Sequence, residues 1–242
     1  MSALVWAERV AGPHPVEPLP GHHGTRTWGF GPYVVRAHGP GRGYHQERAA
    51  AAFVGGPRVV ACDDASRWLL IDRVPGRDAG PDDWRAGGAA LRRLHTTPWI
   101  DDDPVPVADA WARRVAAARA AVPEAGVGAD GLTGARVPCH RDAGPYNWRV
   151  DDDGAVRLVD WEHARADHPA VDLAAVVGLA HPDDPHVRAF LDGYGASPDE
   201  EAWLPAAVSL RALGAIAWAR RRRDAAWEAD GWAMLRRWTV GS

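Results

Sequence analysis

Not one of the 242 residues is lysine, so all 28 positively charged side chains are arginine. Chemistry that elsewhere uses an ammonium must here use a guanidinium, a planar fork that stays charged. Asparagine occurs once, as Asn147. Two cysteines, Cys62 and Cys139, give no disulfide framework, and a reducing cytoplasm is the expectation. No apolar run approaches the ~18 residues of a membrane-spanning helix. The opening MSALVWAERVAG has no basic stretch followed by an apolar core, so no signal peptide is expected. Positive charge is not in surplus either. A net charge of -4 and a pI near 6.2 argue against nucleic acid as a partner, because phosphate neutralisation needs cations. The composition that remains, 46% hydrophobic and 25% charged, is that of a globular chain able to bury a core. It excludes a disordered chain, a collagen-like repeat and a coiled coil. Thirteen tryptophans supply large flat faces for cores and pockets alike.

The length suits one large domain or two small lobes, and no internal repeat is visible. Short extended segments come first: Val16–Leu19, Arg26–Phe30 and Tyr33–Ala37, separated by Gly- and Pro-containing turns. Tyr44–Val54 carries helix formers. Arg58–Ala61 and Trp68–Val74 read as two further strands, ending at Pro75-Gly76. Then the chain turns helical, over Pro81–Pro98 and Ala108–Val122. Short extended pieces return between Pro138 and Val159 across an Asp-Gly turn. From Val171 to Trp238 the pattern is helices separated by HPDDP and GASPDE. The shift in composition near residues 75–82 predicts an α+β, bilobal chain: a small β-rich lobe over 1–76 and a larger, mostly α lobe over 77–242.

The residues that carry chemistry lie in the second part. His140-Arg141-Asp142-Ala143-Gly144-Pro145-Tyr146-Asn147 is followed, across a predicted hairpin, by Asp160-Trp161-Glu162. Phosphoryl transfer explains why these residue types belong together. It asks the protein for positioning and charge neutralisation more than for covalent work. A carboxylate must orient the acceptor hydroxyl and take its proton, which suits Asp142. Magnesium wants oxygen ligands, which Asn147 and Asp160 supply as one amide and one carboxylate. A lone H-x-D would mean little in a chain rich in both. The only asparagine five positions on, D-W-E after a hairpin and Asp172 opening the next helix make coincidence hard to sustain. His22-His23 and the other histidines do not give a zinc spacing, and Cys139 reads as a small core residue rather than a nucleophile.

With these motifs the chain resembles the aminoglycoside phosphotransferase and choline kinase group, small-molecule kinases with a protein-kinase-like fold. The resemblance is carried by Cys139 to Ala174, by the helix end Ala89-Ala90-Leu91-Arg92-Arg93-Leu94-His95 and by Leu69–Gly76. It implies Asp142 as catalytic base, Asn147 and Asp160 as magnesium ligands, and His140 as a buttress of the loop. Asp172 would bond the loop backbone, and Asp72 to Val74 would be the hinge that meets the nucleotide base. The cation that reaches the phosphates would be Arg36, where the family often has lysine, paired to Glu47 of the following helix. Gly21 and Gly24, in PGHHGT, lie where a phosphate loop belongs, though a plain β-turn fits the same residues.

The co-substrates so implied are magnesium with ATP or GTP and a small hydroxylated acceptor, with no membrane partner. A protein substrate is disfavoured. Protein kinases commonly carry a lysine where Gly144 stands, and only eleven residues separate Asp160 from Asp172, with no A-P-E after them. The acids and ring of Asp199, Glu200, Glu201, Trp203 and Glu228 suggest a cationic acceptor, such as an aminoglycoside-like antibiotic, held by charge and ring face. Two alternatives stay open: a metabolite kinase of choline or homoserine type, and a nucleotide-binding regulator without turnover.

Overall fold

A computed structural model describes residues 1–19, 25–53, 55–98, 105–125 and 132–239. The first part is an antiparallel five-stranded sheet built from β1 (Val16–Leu19), β2 (Arg26–Phe30), β3 (Tyr33–Ala37), β4 (Val59–Asp63) and β5 (Trp68–Asp72). The strand order is β1-β2-β3-β5-β4. Helix α1 (Ala3–Ala11) covers one face and α2 (Gly43–Ala50) the other. The two-residue period of a strand decides who meets whom. Val35 and Leu70 point toward α1, where they pack with Trp6, Ala7 and Phe30. Val34, Leu69 and Ile71 point toward Tyr44 of α2. Arg36 shares the face of Val34, and so it meets the Glu47 side chain of α2.

The second part is a helical assembly with two small sheets. Its helices are α3 (Trp84–His95), α4 (Val107–Ala121), α5 (Ala170–Val177), α6 (Pro185–Tyr194), α7 (Pro198–Ala202), α8 (Leu204–Arg222) and α9 (Ala225–Thr239). One sheet joins β6 (Arg77–Asp78), β8 (Trp148–Val150) and β9 (Val156–Leu158); the other pairs β7 (Val137–Cys139) with β10 (Arg165–Asp167). Trp148, Trp161, Phe190, Leu91, Leu173 and Leu213 are buried in one continuous core. Helices α3 and α6 touch backbone to backbone. A Cβ added to Gly88 would fall 2.1 Å from the Phe190 carbonyl oxygen, and one added to Gly193 would fall 2.0 Å from that of Arg85.

The sequence pattern places β1, β2 and β3 at their observed bounds and the later helices within a few residues. It misses α1, whose N-cap is Ser2 accepting from the Val5 N–H, and it misses α7. GASPDE is not only a connection: Ser197 and Glu200 form a capping box that starts α7. The stretch Pro198–Arg222 is long and apolar enough to cross a bilayer by length and composition, but half of its apolar window is buried inside the protein.

Candidate active site

Strand β7 ends at Cys139, and the loop that follows is pinned from below by one carboxylate. Asp172, fully buried on α5, accepts the N–H of His140 at 2.7 Å and that of Arg141. It also faces His95 Nε2 at 3.1 Å, and His95 Nδ1 meets the Tyr194 hydroxyl at 2.8 Å. Burial alone would raise the Asp172 pKa. The His95 contact and the His140 N–H outweigh it and hold this carboxylate below its usual range. Two bonds to consecutive amides allow the loop to turn sharply at Arg141, whose φ of 67° lies in the left-handed region. His140 is fully buried, packs at a tilt against Trp161 and bonds the Val159 carbonyl at 2.9 Å through Nε2. Burial lowers its pKa, so it is a neutral ring that ties the loop to the strand leading into Asp160. Cys139 lies beside His95 and Asp172, with its thiol pushed well up by burial. A protonated, closed-in thiol is no nucleophile.

Beyond the turn, Asp142 stands partly exposed. Its Oδ1 accepts from the Tyr146 hydroxyl at 2.6 Å and from Arg211 of α8 at 3.1 Å. Its Oδ2 accepts from Asn147 Nδ2 at 3.2 Å, and the same amide donates to the Asp142 carbonyl at 2.9 Å. With its NH2 group committed to Asp142, Asn147 keeps its amide oxygen as a donor atom for a cation. The Tyr146 ring lies over Gly144, where an added Cβ would fall 2.4 Å from a ring carbon.

From β3, Arg36 gathers three carboxylates. It lies 3.0 Å from Glu47, 2.7 Å from Asp160 and 3.0 Å from Glu162. Burial alone would depress its pKa, but the three negative charges override that and raise it. His38 joins the cluster at 3.0 Å from Glu47, and Thr25 donates to Glu162 at 2.9 Å. Asp160 has a φ of 66°, a strained backbone of the kind found where a side chain is held for function.

The structure therefore groups Arg36 with Glu47 and Asp160, and Asn147 with Asp142, next to each other in the chain's fold through the Val159–Asn147 backbone bond, with His140 and Asp172 supporting the loop. As a metal site, Asp160 and Asn147 offer hard oxygens of the type magnesium requires, at the mouth rather than in the core, and the donor set fits. In the hinge segment, the Asp72 and Arg73 N–H groups donate to the carbonyls of Arg58 and Pro32 at 3.0 and 2.9 Å. A base meeting this segment must use other groups, those of Val74 among them. Gly21 and Gly24 lie outside the described residues.

The acids expected to hold the acceptor are engaged elsewhere. Glu200 caps α7 and pairs with Arg92 at 2.9 Å. Glu201 pairs with Arg188 and Glu228 with Arg220, both at 2.8 Å. Trp203 packs edge-on against His168, and Asp199 is exposed in the first turn of α7. The reason is local. Four of these residues lie in or beside α7, whose capping box and arginine partners fix them, while the helix that reaches Asp142 is α8 and what it brings there is Arg211.

Residues 70–207 match the model of the phosphotransferase enzyme family APH. The chain belongs to this family. Several solved structures share the family fold across nearly the whole chain. A choline/ethanolamine kinase family protein from Mesorhizobium loti is 19% identical with a TM-score of 0.70, covering 98% of this chain and 91% of that one. The gentamicin complex of APH(2″)-IIa is 14% identical with a TM-score of 0.68, covering 98% and 96%. A thermostable mutant of the aminoglycoside phosphotransferase APH(4)-Ia, in a ternary complex with AMP-PNP and hygromycin B, is 17% identical with a TM-score of 0.67 and full coverage of both chains. No curated protein matches the sequence. These likenesses are of fold: protein-kinase-like, with a sheet-built N-terminal region and a helical C-terminal part.

Sequence reasoning about this phosphotransferase missed four residues of the site. Glu162 was visible as the last letter of D-W-E, and His38 lies two positions from Arg36. Tyr146 and Arg211 gave no signal, because their meeting at Asp142 joins positions 65 residues apart.

Proposed function

We propose that the chain transfers the γ-phosphoryl group of a magnesium-bound nucleoside triphosphate to a hydroxyl of a small molecule. The observation that supports this best is the pairing of Arg36 with Glu47 and Asp160 next to the pairing of Asn147 with Asp142, the two joined by the Val159 N–H bond to the Asn147 carbonyl. Asp142 is the acceptor's base. It holds the hydroxyl by an oxygen of its carboxylate and takes the proton as the oxygen attacks phosphorus. Arg36 turns its guanidinium from Asp160 to the phosphate oxygens while Glu47 keeps it in place. Magnesium, held by Asn147 and Asp160, would neutralise charge on the phosphates. His140 and Asp172 keep the loop from drifting, so the base and the phosphate stay in line.

Nucleotide turnover with either ATP or GTP, followed with and without magnesium and with a panel of hydroxylated acceptors including gentamicin and hygromycin B, tests the proposal. Acceptor-dependent, magnesium-dependent turnover that Asp142→Asn abolishes is the expected result. A nucleotide-binding regulator without turnover keeps one observation in its favour: Arg36 takes up an oxygen of Asp160 that a metal would want. Magnesium-nucleotide binding with no transfer to any acceptor would decide for it.

A further inference from the structure

Helix α8 places Arg211 against the proposed base and continues outward with a defined face. At 100° per residue, Arg211, Ala215, Trp218 and Arg222 fall on one stripe, about 16 Å long at 1.5 Å per residue. Its far end is built from a guanidinium over a ring, with Arg222 4.8 Å from the Trp218 ring centre. Trp218 in turn meets Trp227 at 5.6 Å, and Trp227 is 52% exposed. No acid lies on the stripe; Glu200, Glu201 and Glu228 are paired elsewhere, and Asp199 is exposed on α7. What α8 brings to Asp142 is thus a cation, Arg211.

The contacts of Asp142 turn that cation into a statement about the acceptor. Oδ1 already receives two donors, Tyr146 and Arg211, while Oδ2 faces Asn147. A hydroxyl that gives its proton to Oδ1 must displace them. Tyr146 is 58% exposed and swings out to water at little cost. The Arg211 side chain is only 25% exposed, and among the described residues its ion-pair partner is Asp142. Displaced, it becomes a half-buried cation without a counter-charge, which is costly. An ammonium arriving there would add like-charge repulsion at short range.

Resting on the phosphotransferase reading, we propose that the acceptor is anionic: a hydroxyl compound with a carboxylate or phosphate ester close to the hydroxyl that is phosphorylated. Arg211 receives that anion as it leaves Asp142, exchanging one ion pair for another. The transfer itself is balanced: the acceptor O–P bond forms, the bond from the γ-phosphorus to the bridging oxygen of the nucleoside diphosphate breaks, and the hydroxyl proton passes to Asp142. Arg211 is here a specificity-determining residue.

The full chain, with magnesium and ATP or GTP, is incubated with a bacterial metabolite extract supplemented with gentamicin and hygromycin B, and phosphorylated products are identified by mass. Products whose precursors carry a carboxylate or a phosphate are expected. The preferred acceptor is then compared with its own neutral analogue, the carboxamide or the dephosphorylated alcohol, which also tells carboxylate from phosphate. Arg211→Gln should raise KM for the anionic acceptor by about tenfold to a hundredfold and leave that of the neutral analogue the same or lower, because the neutral analogue no longer strands a cation. Arg211→Lys should restore part of the loss because it keeps the charge. Preferential phosphorylation of a cationic or uncharged acceptor overturns the proposal and leaves the phosphotransferase standing. An equal loss on charged and neutral acceptors in Arg211→Gln overturns it too, by assigning Arg211 to the phosphoryl group or to the fold. No phosphorylated product from any acceptor removes both readings.

Discussion

Asp142 and Asp172 are both carboxylates of one loop region, yet they differ in every physical respect. The first is partly exposed and carries donors that a hydroxyl can displace; the second is fully buried and holds two backbone amides. Substituting them should separate chemistry from scaffold. Asp142→Asn keeps shape and folding, and turnover should fall by roughly 10² to 10⁴ with nucleotide affinity unchanged, measured by coupled turnover and calorimetry. Asp172→Ala leaves two buried amides and His95 without an acceptor, and unfolding free energy in urea should fall by about 3 kcal/mol or more. Arg36→Ala leaves three carboxylates facing one another. Magnesium-nucleotide affinity and stability should drop together, the latter by about 3–5 kcal/mol, where a mere surface pair would give less than about 1 kcal/mol. At this scale the candidate site was legible wherever its members lie in one stretch, as Asp142, Asn147 and Asp160 do. It was illegible where a partner comes from a distant helix, because nothing in the spacing of α8 announces that Arg211 faces a loop some seventy residues earlier.

Elements show the same division. Strands β1 to β3 were readable because Gly and Pro bracket short alternating runs, and one face must meet a helix. Glycines inside helices were not readable as contacts. Gly88 looks like a mild weakness in α3, yet it and Gly193 are what lets α3 and α6 approach backbone to backbone. That spacing sets where His95 of α3 meets Tyr194 of α6, and His95 in turn holds Asp172. Gly193→Ala should therefore destabilise the protein by about 1–3 kcal/mol through overpacking, visible as a lower urea midpoint. It should also reduce turnover under conditions where the chain is still folded, because the displaced helix carries the support of the loop with it. Unchanged turnover in the folded variant would mean that His95 tolerates the shift.

For the whole molecule, two kinds of buried group make stability depend on pH in one direction. His140 and His168 have pKa values lowered by burial, so the unfolded chain takes up protons that the folded one refuses. Their contribution is complete above about pH 6.5 and is lost as pH falls through their folded values. Asp172, also lowered, keeps its contribution above about pH 4 and loses it below. Urea unfolding at a series of pH values should give a plateau above neutrality, a first decline below about pH 6.5 and a steeper one below about pH 4. A stability that rises on acidification to pH 5 would contradict these signs.

Arg36 belongs to the sheet, whereas Asp160 and Glu162 belong to the part that carries the loop. Its ion pairs are therefore a clasp between the two parts, at the residue proposed to meet the phosphates. If Arg36 holds the phosphates as proposed, a nucleotide enters as these ion pairs loosen, and opening of the clasp is the step expected to limit association. This gives the encounter an unusual response to salt. Arg36 is outnumbered by Glu47, Asp160 and Glu162, so screening both weakens the clasp and eases the approach of an anion. In stopped-flow mixing, the association rate constant should rise with ionic strength, and with Glu162→Gln the rise should shrink.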